Sequence, residues 1–256
     1  MSASGAPDLA AVDFLVRAAR EFRRGGWVFT GFHWPVLAGQ LAHALEGEPF
    51  TQVFEAGAAT HDAGRLVPTS TTDYPAYGNA LGYLGGTGDV LLALARRFDR
   101  AVLDASNIDV RGRVNSSFIG ARERPRVRLA GGGGAADVAA RARELVWLSG
   151  TADLRRIQAR VEHVTAAPAP GARVRLHTRW GTAVLGARPE VEELADVPGA
   201  DAFVAHLRTL GVACTRPATR PPTTDQERQA ALEVLRAASD RGYQVARRAL
   251  AGTGRT

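Results

Sequence analysis

The 256 residues, 45% apolar and 23% charged, suffice for a substantial soluble core, and no apolar run approaches the roughly 18–20 residues of a membrane span. The net charge is +6 and every basic residue is arginine; the absence of lysine excludes a Schiff-base lysine, lysine-anchored pyridoxal phosphate and a P-loop. The arginines are spread in ones and twos, often beside Asp or Glu, which argues against nucleic acid as a partner, and the single Cys214, read as a packed thiol, suits a cytoplasmic setting without disulfides or a thiolate metal cluster.

Residues 1–11 lack a basic segment followed by an apolar one, so no secretory leader is expected. Residues 8–24 read as a first helix, with Leu9, Val12, Phe14, Leu15, Val16 and Phe22 on its apolar side and Gly25-Gly26 ending it. Residues 27–30 form a short buried-type strand closed by Gly31, and Pro35 suits the start of a helix over 36–45. A turn at 46–49 and a strand at 50–54 complete a β-α-β pattern, which argues for a parallel sheet with crossover helices. Residues 57–88 are rich in Gly, Ala, Thr, Pro and Tyr, an irregular stretch that is either functional or hides short elements.

Beyond it come a helix at 90–97, a strand at 100–105, a turn at 109–112, a polar run at 114–117 and a basic strand at 126–129. The four glycines Gly131 to Gly134 then open into a helix-prone stretch at 135–143, followed by a strand at 144–148. Strands at 174–178 and 182–185 around Trp180-Gly181 resemble a hairpin, and residues 201–210 a helix. A Pro/Thr/Arg connector leads to a helical pattern over 224–250, interrupted near Gly242. The fold expected is α/β, a single open, mainly parallel sheet flanked by helices, in one domain over 1–256 with a core at about 9–215 and a C-terminal helical extension at 216–256.

Glu55 follows a strand directly and precedes Ala56-Gly57, the position where parallel α/β proteins place ligand-handling side chains; the alternative is a strand-end carboxylate paired with an arginine. His33 stands at a comparable strand end, as a general acid/base, a substrate contact or a packed loop residue. The four glycines bring backbone amides to a ligand or serve a tight packing turn. His61, Asp62 and Glu55 match no standard metal spacing, so no metal is expected; there is no Gly-x-Ser-x-Gly elbow, and the glycines lack the order of a dinucleotide fingerprint.

Four segments, in order, resemble the β subunit of family I CoA-transferases of the glutaconate CoA-transferase type. They are residues 28–35 around Gly31, the Val53-Phe54-Glu55-Ala56-Gly57 run, Ile108-Asp109 through Asn115-Ser116-Ser117, and the glycine stretch itself. The resemblance implies that Glu55 attacks an acyl-CoA thioester and carries a glutamyl-CoA thioester. It also implies that the backbone of Gly132, Gly133, Gly134 and Ala135 binds CoA and the oxyanion, and that Gly31, His33, Asn115 and Ser116 contact substrate. It implies no permanent cofactor, CoA thioester as substrate, and an α subunit on a separate chain in an α2β2 assembly. Relatives on this scaffold include acyl-CoA hydrolases, a ring-opening hydrolase and a decarboxylase; a scaffold or CoA-ester-binding subunit is the non-enzyme alternative, and a sugar-phosphate isomerase of related architecture would bind phosphate on the glycine loop without Glu55 as nucleophile. Phe32, His33 and Trp34 replace residues that are small in the family, which implies a reshaped acyl pocket.

Overall fold

The computed structural model describes residues 6–45, 47–94 and 96–252. Residues 1–5 of the stretch read for a leader, Glu46 of the expected turn and Ala95 of the expected helix at 90–97 lie outside the described residues. The backbone divides into two compact units, Met1–Val90 with Pro222–Thr256 and Leu91–Pro221.

In the first unit α1 (Leu9–Phe22) begins at Asp8, whose carboxylate accepts from the Ala11 N–H at 3.3 Å, a regular N-cap. Its apolar stripe, Phe14, Leu15, Ala18 and Phe22, is fully buried. Burying one such Leu or Phe contributes about 1.5–3 kcal/mol. Gly25 and Gly26 do not end the helix in a loop as expected. They lie inside β1 (Arg24–Thr30), because the ladder with β2 (Glu48–Phe54) already starts at Arg24 opposite Glu48. The helix between the two strands, α2 (Trp34–His43), carries Pro35 in its first turn, where a missing N–H costs no hydrogen bond. The two strands are parallel, as the β-α-β pattern predicts. Val28 and Phe29, adjacent along β1, are both buried, so both faces of the strand are covered.

The irregular stretch contains β3 (Ala58–Thr60), α3 (Tyr74–Tyr77) and β4 (Leu81–Leu84), with β3 antiparallel to β2 and β4 antiparallel to β3. A single wide helical turn at Asp89–Leu94 stands where a longer helix is expected.

The second unit is built on the parallel strands β5 (Arg100–Asp104), then β6 (Ile108–Asp109), a hairpin of β7 (Phe118–Gly120) and β8 (Pro125–Arg128), α4 (Ala135–Ala139) and β9 (Glu144–Ser149). Next come β10 (Ile157–Gln158), which pairs with β6, and β11 (Arg173–Thr178) with β12 (Gly181–Leu185), the hairpin expected from sequence. Strands β5, β9 and β11 run parallel side by side, and β12 and β13 (Glu190–Leu194) continue antiparallel. After α5 (Ala200–Thr209), β14 (Ala218–Thr219) pairs with β13. The α/β class thus holds, with parallel strands at the centre of each unit and antiparallel strands added outside them. Helix α4 is five residues long, not the nine expected; past its cap at Ala140 the chain tightens into a turn, with Arg141 N donating to Val138 O at 3.0 Å.

The chain then returns to the first unit as α6 (Asp225–Asp240) and α7 (Gln244–Ala251), separated at Gly242, which takes φ 93°. These helices pack on α1, and α6 also on α2. A capping box at Thr224 and Glu227 starts α6, and Glu227 also accepts from Arg20 of α1 at 2.7 Å.

Candidate active site

In the parallel register Thr30 stands opposite Phe54, so the residues that follow, Gly31 and Glu55, leave the sheet at the same edge of the first unit. Glu55 is half-buried in a turn closed by the Gly57 N–H donating to Phe54 O at 3.0 Å. Gly57 takes φ +112°, and a Cβ placed there would lie 2.0 Å from the Gly85 carbonyl oxygen. That close approach is used: Gly85 N–H donates to Gly57 O at 2.9 Å, tying the turn to the end of β4. Tyr74 Oη donates to Ala56 O at 3.4 Å, and Tyr77, fully buried, stacks on Phe54 with ring centroids 5.0 Å apart. The position of Glu55 is therefore fixed by the stretch at 57–88, whose short elements wrap its turn.

The C-terminal helices hold that stretch in turn. Arg241 donates to Asp73 at 2.7 Å and to Val67 O at 3.1 Å, and Tyr243 Oη donates to Pro68 O. The Thr69 backbone N–H, above all, and then the Thr69 hydroxyl and Arg241 outweigh partial desolvation and hold the Asp73 carboxyl below its ordinary range. Burial pushes the Tyr243 and Tyr77 phenols upward, so both remain donors.

His33 is exposed and has φ 64° and ψ −117°, the one positive φ outside glycine among the described residues. A non-glycine residue held there stores roughly 1–3 kcal/mol of strain. Phe32 packs between the His33 ring at 5.0 Å and the Tyr243 ring at 5.5 Å, and His33 O accepts from Leu37 N to open α2. Gly31, His33 and Glu55 are thus gathered at one strand edge. His61 is engaged elsewhere, its Nδ1 3.1 Å from Thr51 Oγ1, and Asp62 accepts from Ala63 N at 2.7 Å. Among the described residues no group of three or more His, Cys, Asp or Glu is placed to hold a metal ion.

In the second unit the fully buried Asp109 carboxylate organises the 109–113 turn. It accepts from Arg111 N at 2.9 Å, Arg113 N at 3.1 Å, Arg113 Nε at 2.8 Å and Val161 N at 3.3 Å. Asn115 is buried, and its side chain donates to Phe118 O at 2.8 Å and accepts from Ser117 N at 3.1 Å. It shapes the loop that leads into the β7–β8 hairpin. The backbone of Ser116 and Ser117 reaches the glycine stretch directly, since Gly131 N donates to Ser116 O at 2.7 Å and Leu129 N to Ser117 O at 3.0 Å. Thr165 locks the two together: its hydroxyl accepts from Ser116 N at 3.0 Å and sits 2.7 Å from Ser117 Oγ, while its methyl would meet a Cβ on Gly132 at 2.7 Å.

Within the stretch Gly131 and Gly133 take positive φ, and Ala135 N–H donates back to Gly132 O at 2.9 Å. Ala135 therefore closes the loop with the donor that the family resemblance implies for an oxyanion. Gly133 is exposed and Gly134 buried. Gly132, Gly133, Gly134, Ala135, Asn115 and Ser116 thus form one hydrogen-bonded loop system. Sequence reasoning missed Tyr74, Gly85 and Thr165, none of which carries a local signal beyond its residue type.

No protein-family model matches the chain. Over 140 residues it is 29% identical to a subunit of 3-oxoadipate CoA-transferase from Pseudomonas knackmussii, a match covering 51% of this chain and 50% of that protein, so the chain spans about half the length of its curated relative. Among solved structures the decarboxylase AibA/AibB superposes with a TM-score of 0.73 at 23% identity, over 91% of this chain and 96% of the other. Glutaconate coenzyme A-transferase from Acidaminococcus fermentans gives 0.70 at 19% identity over the same shares of 91% and 96%. The fold is that of the CoA-transferase subunits, and over about half its length the chain is similar in sequence to one of them.

Proposed function

We propose that the chain is the catalytic β subunit of a heteromeric CoA-transferase, with Glu55 as the nucleophile. The observation that carries this reading is a half-buried carboxylate in a turn locked at a parallel strand end by the Gly57–Gly85 backbone pair. A Glu55 oxygen attacks the thioester carbonyl, the C–S bond breaks, and CoA leaves as thiolate, giving a mixed anhydride. The thiolate then attacks the glutamyl carbonyl and releases the first acid, leaving a glutamyl-CoA thioester. The acceptor carboxylate attacks that thioester, and the returning thiolate regenerates Glu55 as the new acyl-CoA forms. Each step exchanges one activated acyl group for another, so one difficult transfer becomes several easier ones.

Tetrahedral oxyanions form along this route, and backbone donors of the Gly132–Gly133–Gly134 loop are their proposed partners; removing one such donor typically costs about a hundredfold in rate. Gly31, His33 and Ser116 are proposed to contact substrate, with Asn115 holding the Ser116 loop in shape. No permanent cofactor is required, since the CoA thioester is itself the substrate. The proposed partner is an α subunit in an α2β2 assembly in the cytoplasm. The exposed Tyr83 and Leu84 on β4, the last strand of its sheet, supply apolar surface for a partner. No described helix is long and apolar enough to cross a membrane.

An acyl-CoA hydrolase would use the same carboxylate and differ only in admitting water to the glutamyl thioester. The test is mass spectrometry of the chain, co-expressed with its α subunit and incubated with acyl-CoA. A CoA adduct on the peptide containing Glu55, absent from Glu55→Ala together with a loss of turnover of at least about a thousandfold, is the expected result. Undiminished turnover in Glu55→Ala sinks the proposal.

A further inference from the structure

Besides the glycine loop, the second unit contains a cavity of about 580 Å³ lined by Arg111, Arg113 and Arg160, with the 167–170 loop, Gly186 and Ala187 as its remaining walls. None of the lining residues is acidic. The volume falls within the roughly 300–1,000 Å³ of small-molecule sites. The buried Asp109 beside it offsets one of the three cations, Arg113, by an ion pair at 2.7 Å. Arg111 and Arg160 are exposed, and among the described residues neither has a carboxylate at ion-pair distance. The cavity therefore holds two uncompensated guanidinium groups and a share of a third.

The walls are fixed before any ligand arrives. Asp109 Oδ1 holds both the Arg111 and Arg113 amides, and Trp147 Nε1 donates to Gly112 O at 3.1 Å. A Cβ on Gly112 would come 2.8 Å from Val174 Cγ1 and 3.6 Å from Pro168 Cγ, so the turn is seated between β11 and the proline loop. That loop is tied down by Ala169 N donating to Ala139 O at 3.0 Å, and Gly186 N donates to Val110 O at 2.9 Å. Two arginine stems thus rise from one rigid turn toward a space bounded by small and proline residues. A guanidinium presents a planar fork of donors that matches phosphate oxygens in pairs.

We propose that this arginine-lined cavity binds a phosphate-bearing anion, either a bare diphosphate or the phosphorylated end of a nucleotide. The proposal stands on the geometry of the second unit and does not rest on Glu55 chemistry. Isothermal titration of the full chain with inorganic pyrophosphate and with adenosine 3′,5′-bisphosphate tests it. Saturable 1:1 binding to at least one probe is expected, weakening as salt is raised and at least about tenfold weaker in the Arg111→Ala/Arg160→Ala double variant. Both side chains are exposed, so this variant keeps its fold, which circular dichroism checks directly. Pyrophosphate bound as tightly as the bisphosphate assigns the cavity to a diphosphate group; binding of the bisphosphate alone assigns it to a nucleotide. Arg122→Ala/Arg124→Ala, at exposed positions on the β7–β8 connection, is the control for diffuse attraction to an arginine-rich surface. The proposal is overturned by the absence of saturable binding to both probes, by unchanged affinity in the cavity variant, or by an equal loss in the control.

Discussion

At the residue scale the geometry around Glu55 depends on a backbone contact that no side chain supplies. Gly57 combines φ +112° with a would-be Cβ 2.0 Å from a carbonyl oxygen of the facing backbone, where nothing flexible can give way. Gly57→Ala therefore has to move the Glu55 turn, the end of β4, or both. A loss of about 2–4 kcal/mol is expected from the positive φ and the overpacking together. If Glu55 is the nucleophile, kcat should fall about a hundredfold as its oxygen leaves the line of attack. Urea titration and steady-state kinetics read the two effects separately, and wild-type stability in this variant would contradict the contact. The candidate carboxylate itself was legible from sequence, because an apolar strand followed by Glu, a small residue and Gly marks a strand end. What holds it was not: Tyr74 and Gly85 lie 19 and 30 residues along the chain, and nothing local signals that they return. The Ala135 amide shows the converse limit, since a loop can be recognised by its glycines without revealing which N–H groups its own carbonyls occupy.

At the scale of elements, α6 and α7 are bound into the first unit by polar contacts at their ends as much as by their apolar stripes. Glu227 caps its own helix through Thr224 and accepts from Arg20 at 2.7 Å and Arg23 at 3.3 Å, with its side chain only 9% exposed. Glu227→Ala should cost about 3 kcal/mol, because it removes the cap and leaves two partly buried guanidiniums without their carboxylate. Asp225→Ala, which breaks an exposed pair with Arg228 on the first turn of the same helix, should cost under about 1 kcal/mol. Thermal unfolding compares the two, and equal losses would mean that the α1 contact contributes nothing beyond the helix itself. The two-helix pattern with its break at Gly242 was readable from sequence, as was the β11–β12 hairpin, because both carry their signal within one short window. Strands β3 and β4 were hidden for the opposite reason. Segments of three and four residues have no measurable period, and their existence depends on the β2 edge that they pair with. The start of β1 was missed because Gly25-Gly26 looks like a helix stop until the ladder opposite Glu48 is in place.

For the molecule as a whole, two groups in the first unit respond to acid in different pH windows. His43 stacks on Phe50 with centroids 4.1 Å apart, and burial lowers its pKa from 6.5 to about 4, against a raising influence from Asp62 and with a further lowering one from His61. The folded chain thus holds a neutral imidazole where the unfolded chain takes up a proton. Stability is full above pH 6.5, falls as the pH drops from 6.5 to 4, and then levels, for a total of about 3 kcal/mol. Glu227 acts lower on the scale. Burial pushes its carboxyl up, but Arg20, the Thr224 N–H and the Thr224 hydroxyl outweigh it and bring the pKa from 4.5 to about 2. Its contribution is present above pH 4.5 and is lost between 4.5 and 2. Urea midpoints across this range should therefore decline in two stages, the first from the histidine and the second from carboxyls held low in the fold, Glu227 and Asp73 among them. His43→Phe keeps the stack on Phe50 and removes the ionisation, so it should flatten the stage between pH 6.5 and 4 while leaving the lower stage in place. A variant whose midpoints still fall by the same amount between pH 6.5 and 4 would show that another group carries the first stage.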